Sequence, residues 1–134
     1  MDRMVEVELV RIIINENSDQ QYIFLREKKG DRQFPIVISS FEAMAIDRFV
    51  KETSTPRPYT HELLHSIIDH LAAEVVRVEV TELREGTFYA NLILKGTDGE
   101  VAVDARPSDA IALAVRNHAT ILVHEDVIEE VVAF

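Results

Sequence analysis

The run Val101-Ala102-Val103-Asp104-Ala105-Arg106-Pro107-Ser108-Asp109-Ala110-Ile111-Ala112-Leu113-Ala114-Val115 decides the fold, because within it a strand hands over to a helix. Val101 to Ala105 reads as a strand, and Pro107 marks the first turn of a helix running to Asn117. Residues 110–115 are apolar all round, so this helix is expected to be buried. Upstream, Gly96-Thr97-Asp98-Gly99 is a turn and Phe88 to Leu94 a strand. Glu85-Gly86 is another turn, and Val75 to Leu83 alternates Val76, Val78 and Val80 against Arg77, Glu79 and Thr81. Three strands and then a helix make an antiparallel meander with a helix behind it.

The first half of the chain shows the same order. Met4 to Ile14, Tyr22 to Arg26 and Phe34 to Ile38 read as strands, with Pro35 confined to an edge or a strand start. A helix is expected from Phe41 to Lys51. Its face of Phe41, Ala45, Ile46, Phe49 and Val50 has Glu42 near the middle, and Asp47, Arg48 and Lys51 lie opposite. Thr53 to Pro58 is a stiff connector, and a second helix is expected from Thr60 to Ala72, with Leu63, Leu64, Ile67, Ile68 and Leu71 as its apolar stripe. Ile121 to Val123 gives a short strand, and Asp126 to Ala133 a terminal helix. The expected fold is therefore α+β in the order βββα-α-βββα-βα, one domain over residues 1–134. Glu42-Ala43-Met44-Ala45-Ile46 and Asp109-Ala110-Ile111-Ala112-Leu113 share a pattern after the third strand of each meander, which hints at an internal duplication.

Composition narrows the function. The 134 residues carry 14 basic and 24 acidic side chains, a net charge of −10. That argues against broad adhesion to phosphate backbones, which needs Lys and Arg. Residues 1–57 are nearly balanced, and the deficit lies almost wholly in residues 58–134. There is no Cys, hence no disulfide framework, thiolate site or Cys nucleophile. No apolar run suits a membrane span and the N-terminus lacks a signal-peptide core, so the expectation is a cytoplasmic protein without membrane partners.

Four places hold candidate chemistry. Asp104, Arg106, Ser108 and Asp109 meet where a strand becomes a helix N-terminus, which suits an anion; a helix cap by Asp109 with an Asp104–Arg106 ion pair is the plainer reading of the same residues. Glu42 on an apolar face must be paired, metal-bound or neutralised, and a capping box with Ser39 is the alternative. His61-Glu62-Leu63-Leu64-His65 matches the H-E-x-x-H pattern of zinc peptidases but has no evident third ligand. Arg26, Lys28, Lys29 and Arg32 flank one turn and form the only local basic cluster.

Several segments, in order, resemble the bifunctional nuclease domain family. They are Pro35-Ile36-Val37-Ile38, Glu42-Ala43 with Ala45-Ile46, Pro56-Arg57-Pro58-Tyr59-Thr60-His61-Glu62-Leu63-Leu64, Gly86-Thr87-Phe88-Tyr89-Ala90, Asp104 to Ala114, and Ile121-Leu122-Val123. The resemblance spans about residues 4–130. It demotes the zinc-peptidase match, since only His65 is then additional. It implies a metal-dependent nuclease acting on DNA or RNA. The roles within it are assigned from side-chain chemistry at the motif positions: Glu42, Asp104 and Asp109 would hold Mg²⁺ or Mn²⁺, Arg57, Arg106 and Ser108 would bind the phosphate, and His61 would move the proton. The net charge of −10 predicts that such nucleic-acid binding is weak, metal-dependent and salt-sensitive. The competing reading is a non-catalytic oligomeric binding or regulatory domain, in which these residues form a structural network and a second copy covers the apolar edges. Glu42 and Asp109 more than about 12 Å apart would be too far for one or two bridged metals.

Overall fold

The computed structural model describes residues 3–132. Its elements follow the order β1 (Met4–Ile13), β2 (Gln21–Glu27), β3 (Gln33–Ile38), α1 (Ser40–Val50), α2 (Thr60–His70), β4 (Glu74–Arg84), β5 (Thr87–Gly96), β6 (Gly99–Ala105), α3 (Pro107–Asn117), β7 (Thr120–His124) and α4 (Glu125–Val132). The α+β class holds, and the termini of most elements shift by only one or two residues from expectation. Ala133, the expected end of the last helix, lies outside the described residues.

All seven strands join one sheet in the order β3-β2-β1-β7-β4-β5-β6. The short β7 sits between the two meanders, antiparallel to β1 and parallel to β4. Cross-strand partners share a face. Leu9 faces Leu25, which faces Phe34; Val7 faces Ile121, which faces Val78; Val78 faces Leu92. These residues are buried or partly buried in one core that also takes side chains from all four helices. The other face is open and carries charge pairs such as Arg26–Glu8 at 2.8 Å and Lys28–Glu6 at 3.1 Å. This is a sheet with one covered and one solvated face, which explains the alternating strand pattern.

Glu85 and Gly86, at φ 52° and 78°, close the β4–β5 hairpin as a two-residue turn in the left-handed region. α3 is the buried helix, with Ala110 to Ala114 all inside. It packs on β4, β5 and β7, and both α1 and α2 pack on it. The alanines matter here: Ala43 and Ala45 of α1, and Ala110, Ala112 and Ala114 of α3, are fully buried and occupy little volume.

Two faces differ from expectation. Phe41 and Val50 of α1 are exposed, and the buried set is Glu42, Ala43, Ala45, Ile46 and Phe49. The apolar stripe of α2 is mostly exposed too: only His61 and Ile68 are buried, while Leu63, Leu64, Ile67 and Leu71 face outward. A helical wheel finds an apolar face; it does not say whether the chain has anything to cover it.

Candidate active site

Three helices begin at one place. Ser39 and Arg106 are extended N-caps of α1 and α3, and Tyr59 is the extended N-cap of α2. Glu42, His61 and Asp109 each lie in the first turn of their helix. The free N–H groups and dipoles of helix N-termini favour negative charge, so these turns suit carboxylates and bound anions alike.

His61 Nε2 donates to Asp109 Oδ1 at 2.8 Å, and Arg106 Nε donates to Asp109 Oδ2, also at 2.8 Å. Each carboxylate oxygen of Asp109 therefore takes one donor. The His61 hydrogen bond foremost, joined by that of Arg106 and its charge, holds the Asp109 carboxyl below the usual range against the opposing effect of burial. The Asp109 hydrogen bond and charge raise Arg106 further, with a smaller charge contribution from Glu42. An ionised Asp109 cannot donate, so His61 Nε2 carries the proton. A neutral ring then keeps its lone pair on Nδ1, which makes no hydrogen bond among the described residues.

Glu42 is 5% exposed. Ser39 Oγ donates to its Oε2 at 2.5 Å, Ser108 Oγ to Oε1 at 3.4 Å, and an Arg106 guanidinium nitrogen lies 3.6 Å from Oε1. The capping box does not form: Ser39 makes no side-chain cap to the backbone and binds the Glu42 side chain instead. Burial without partners would be costly for this carboxylate, and these three contacts supply them. Glu42 and Asp109 both reach one guanidinium, well inside the span of about 12 Å for bridged metals.

A cleft of about 490 Å³ opens beside this cluster, lined by Phe41, Met44, Tyr59 and Leu64 with Arg48 and the polar residues just described. A smaller hollow of about 290 Å³ lies on the other side of Glu42 and Arg106, bordered by Val37, Phe88 and Ser108. A third, of about 510 Å³, shares Arg48 but holds neither Glu42 nor Asp109.

The expected site residues divide. Glu42, His61, Arg106, Ser108 and Asp109 come together. Asp104 stands apart, on β6 opposite Asn91. Its neighbour Ala105 pairs with the buried Ala90, so alternation puts Asp104 on the open face, away from the helices. Its expected ion pair with Arg106 is absent among the described residues, and Arg106 serves Glu42 and Asp109 instead. Arg57 is exposed in the connector and lines none of these hollows. No three His, Asp or Glu side chains among the described residues gather as a metal-ligand set. His61 and His65 do not act together: His65 contacts Asp69 at 3.4 Å and Asn117 at 3.4 Å. The basic turn is largely paired with carboxylates, Arg32 with both Glu27 and Glu125.

Arg48 and Tyr59 were not singled out from sequence. The Arg48 guanidinium lies 4.3 Å from the Tyr59 ring centroid and 3.4 Å from Glu62. The segment Pro58-Tyr59-Thr60-His61 was the available signal, since it sets an aromatic two residues before His61.

Comparison with known proteins identifies the family. The profile of the family described as the bifunctional nuclease domain matches residues 23–133. An uncharacterized protein of Mycobacterium tuberculosis is 40% identical over 127 residues, covering 95% of this chain and 76% of its own. Bifunctional nuclease 2 of Oryza sativa subsp. japonica is 30% identical over 115 residues, covering 83% of this chain and 35% of its own. Bifunctional nuclease 1 of Arabidopsis thaliana is 31% identical over 85 residues, covering 61% and 26% respectively.

Proposed function

The chain belongs to the bifunctional nuclease domain family, and on that premise we propose that it hydrolyses phosphodiester bonds of DNA or RNA at the His61–Asp109–Arg106–Glu42 cluster. The observation that carries the reading is the convergence of three helix N-termini on an arginine held between two carboxylates, with a histidine oriented by one of them. Helix N-termini and a guanidinium are the groups that recognise phosphate.

In this reading Arg106 binds the phosphate oxygens. Asp109 fixes the tautomer and orientation of His61, as a carboxylate does for a general base. His61 Nδ1 takes a proton from a water molecule as the water oxygen bonds to phosphorus. The bond from phosphorus to the leaving oxygen breaks, and that oxygen takes a proton from solvent. Glu42 keeps Arg106 and Ser108 in place.

An Mg²⁺ or Mn²⁺ ion belongs to the proposal, and Glu42 and Asp109 are the residues that would hold it. Two carboxylates suit Mg²⁺, which usually keeps several waters and takes substrate oxygens for the rest. Bound there, it would polarise the phosphoryl group. No helix among the described residues is long and apolar enough to cross a membrane.

The test is hydrolysis of single- and double-stranded DNA and RNA by purified protein, with Mg²⁺, Mn²⁺ or EDTA. Asp109→Asn, His61→Ala and Glu42→Gln should each lower the rate at least 100-fold; activity that survives all three refutes the site. The second reading, an oligomeric binding or regulatory domain, draws on the outward row of Leu63 and Ile67 on α2 and Leu71 at its C-cap, which would suit contact with a second copy. Light scattering that gives the monomer mass would remove it.

A further inference from the structure

Phe41 has no structural role to explain its position. It is 81% exposed, yet it stands next to the buried Glu42 on the rim of the larger cleft. Tyr59, 58% exposed, lines the same cleft, with Arg48 stacked on its ring. Two aromatic rings thus border a site whose centre is Arg106, itself open to solvent. Aromatic faces beside an arginine are the elements that hold an unpaired base and its phosphate.

The two hollows give the geometry a direction. Glu42 and Arg106 border both. A phosphate at Arg106 would have space for a nucleoside on either side: Phe41 and Tyr59 in the larger cleft, and Phe88 in the smaller hollow. A duplex cannot use this arrangement, because its bases remain stacked on each other. Nor does a chain of net charge −10 offer the many phosphate contacts that duplex binding relies on.

We propose that the ligand of this cleft is an unpaired nucleic acid strand, bound with one base against Phe41 and Tyr59 and the next across Arg106, so that an internal linkage lies at the cluster. The nature of the ligand rests on the nuclease reading. The smallest chain that fills both hollows is a dinucleotide.

The experiment measures binding and cleavage separately. The chain has three Tyr and no Trp, so tyrosine emission reports a base stacking on Tyr59. A twelve-residue oligothymidylate should quench it, and the same strand annealed to its complement should bind at least tenfold more weakly. Phe41→Ala should weaken single-strand binding roughly 5- to 150-fold, the loss expected for one base–aromatic stack, and should raise KM in the cleavage assay. Val101→Ala, exposed on β6 and outside the cleft, should change neither. Binding that follows this pattern without Asp109-dependent cleavage would sink the nuclease reading alone. Equal cleavage of duplex and single strand, with Phe41→Ala silent in binding and KM, would sink this proposal and leave the nuclease reading standing. A Phe41→Ala change that alters oligomer mass and not binding would also overturn it, making the rim a protein contact.

Discussion

Asp109 takes one donor on each oxygen, and both donors favour its ionised form. Its depressed pKa has a definite consequence for stability. The unfolded chain would protonate this carboxyl near about 3.9 and the folded chain only at lower pH. The stabilisation from these contacts is therefore complete above the unfolded value and disappears as pH falls through the folded one. Asp109→Asn should narrow the gap in Tm between pH 6 and pH 3, as followed by circular dichroism. In the activity assay it should lower the rate at every pH between 5 and 8, because wild-type Asp109 is already ionised throughout that window. Glu42 behaves differently because it is enclosed. Glu42→Ala leaves the buried Ser108 hydroxyl without its acceptor and opens a void, at a cost of about 1–3 kcal/mol in urea unfolding. Glu42→Gln keeps the volume and should cost less. The buried position of Glu42 was legible from its place among apolar residues. Asp104 was not, because the two-residue period groups it with Arg106, yet Arg106 is already the cap that turns the chain.

α2 is the least anchored helix of the site. His61 and Ile68, nearly two turns apart, are its only buried side chains. Ile68→Ala should cost about 2–5 kcal/mol and loosen the helix as a unit. Hydrogen exchange should then speed up along residues 63–70 more than in α3, and the rate of cleavage should fall although no site residue has changed. Uniform acceleration across the molecule would mean that α2 is not a separate unit. Strands and helices were readable here because alternation and caps are local. What the wheel missed is physical: α2 has the apolar face of a buried helix, but α3 and the sheet already fill the core beneath it. The parallel β4–β7 pair was equally hidden, since pairing between distant strands leaves no mark in either one.

At the scale of the molecule, two charge patterns set the behaviour. Arg32 binds Glu27 and the buried Glu125, tying the β2–β3 turn to the start of α4. Its hydrogen bonds are the main cause that holds both carboxyls below the usual range, so their stabilisation is present above about pH 4.3 and lost as pH falls further. Arg32→Ala should thus lower Tm clearly at pH 7, where it strands a buried carboxylate, and much less at pH 3.

The net charge of −10 looks adverse to nucleic acid, but it bears on the whole surface, and the proposed contact uses very little of it. Arg26, Lys28 and Arg32 are committed to carboxylates on or beside the open face, and Arg77 to Glu79 and Glu100. Arg106 and Arg48 also have carboxylate partners, but they are the cations that line the cleft. Release of counterions from a single strand scales at about −0.7 per phosphate neutralised. Two such contacts give a slope of about −1.4 in log K against log salt, a loss of roughly sevenfold between 50 and 200 mM. Arg106→Gln should flatten that slope by about 0.7, whereas Lys29→Gln, on the exposed turn, should leave it unchanged. A slope steeper than about −3 would mean that phosphates are held across a wider surface, and the strand would then have to run beyond the two hollows that flank Arg106.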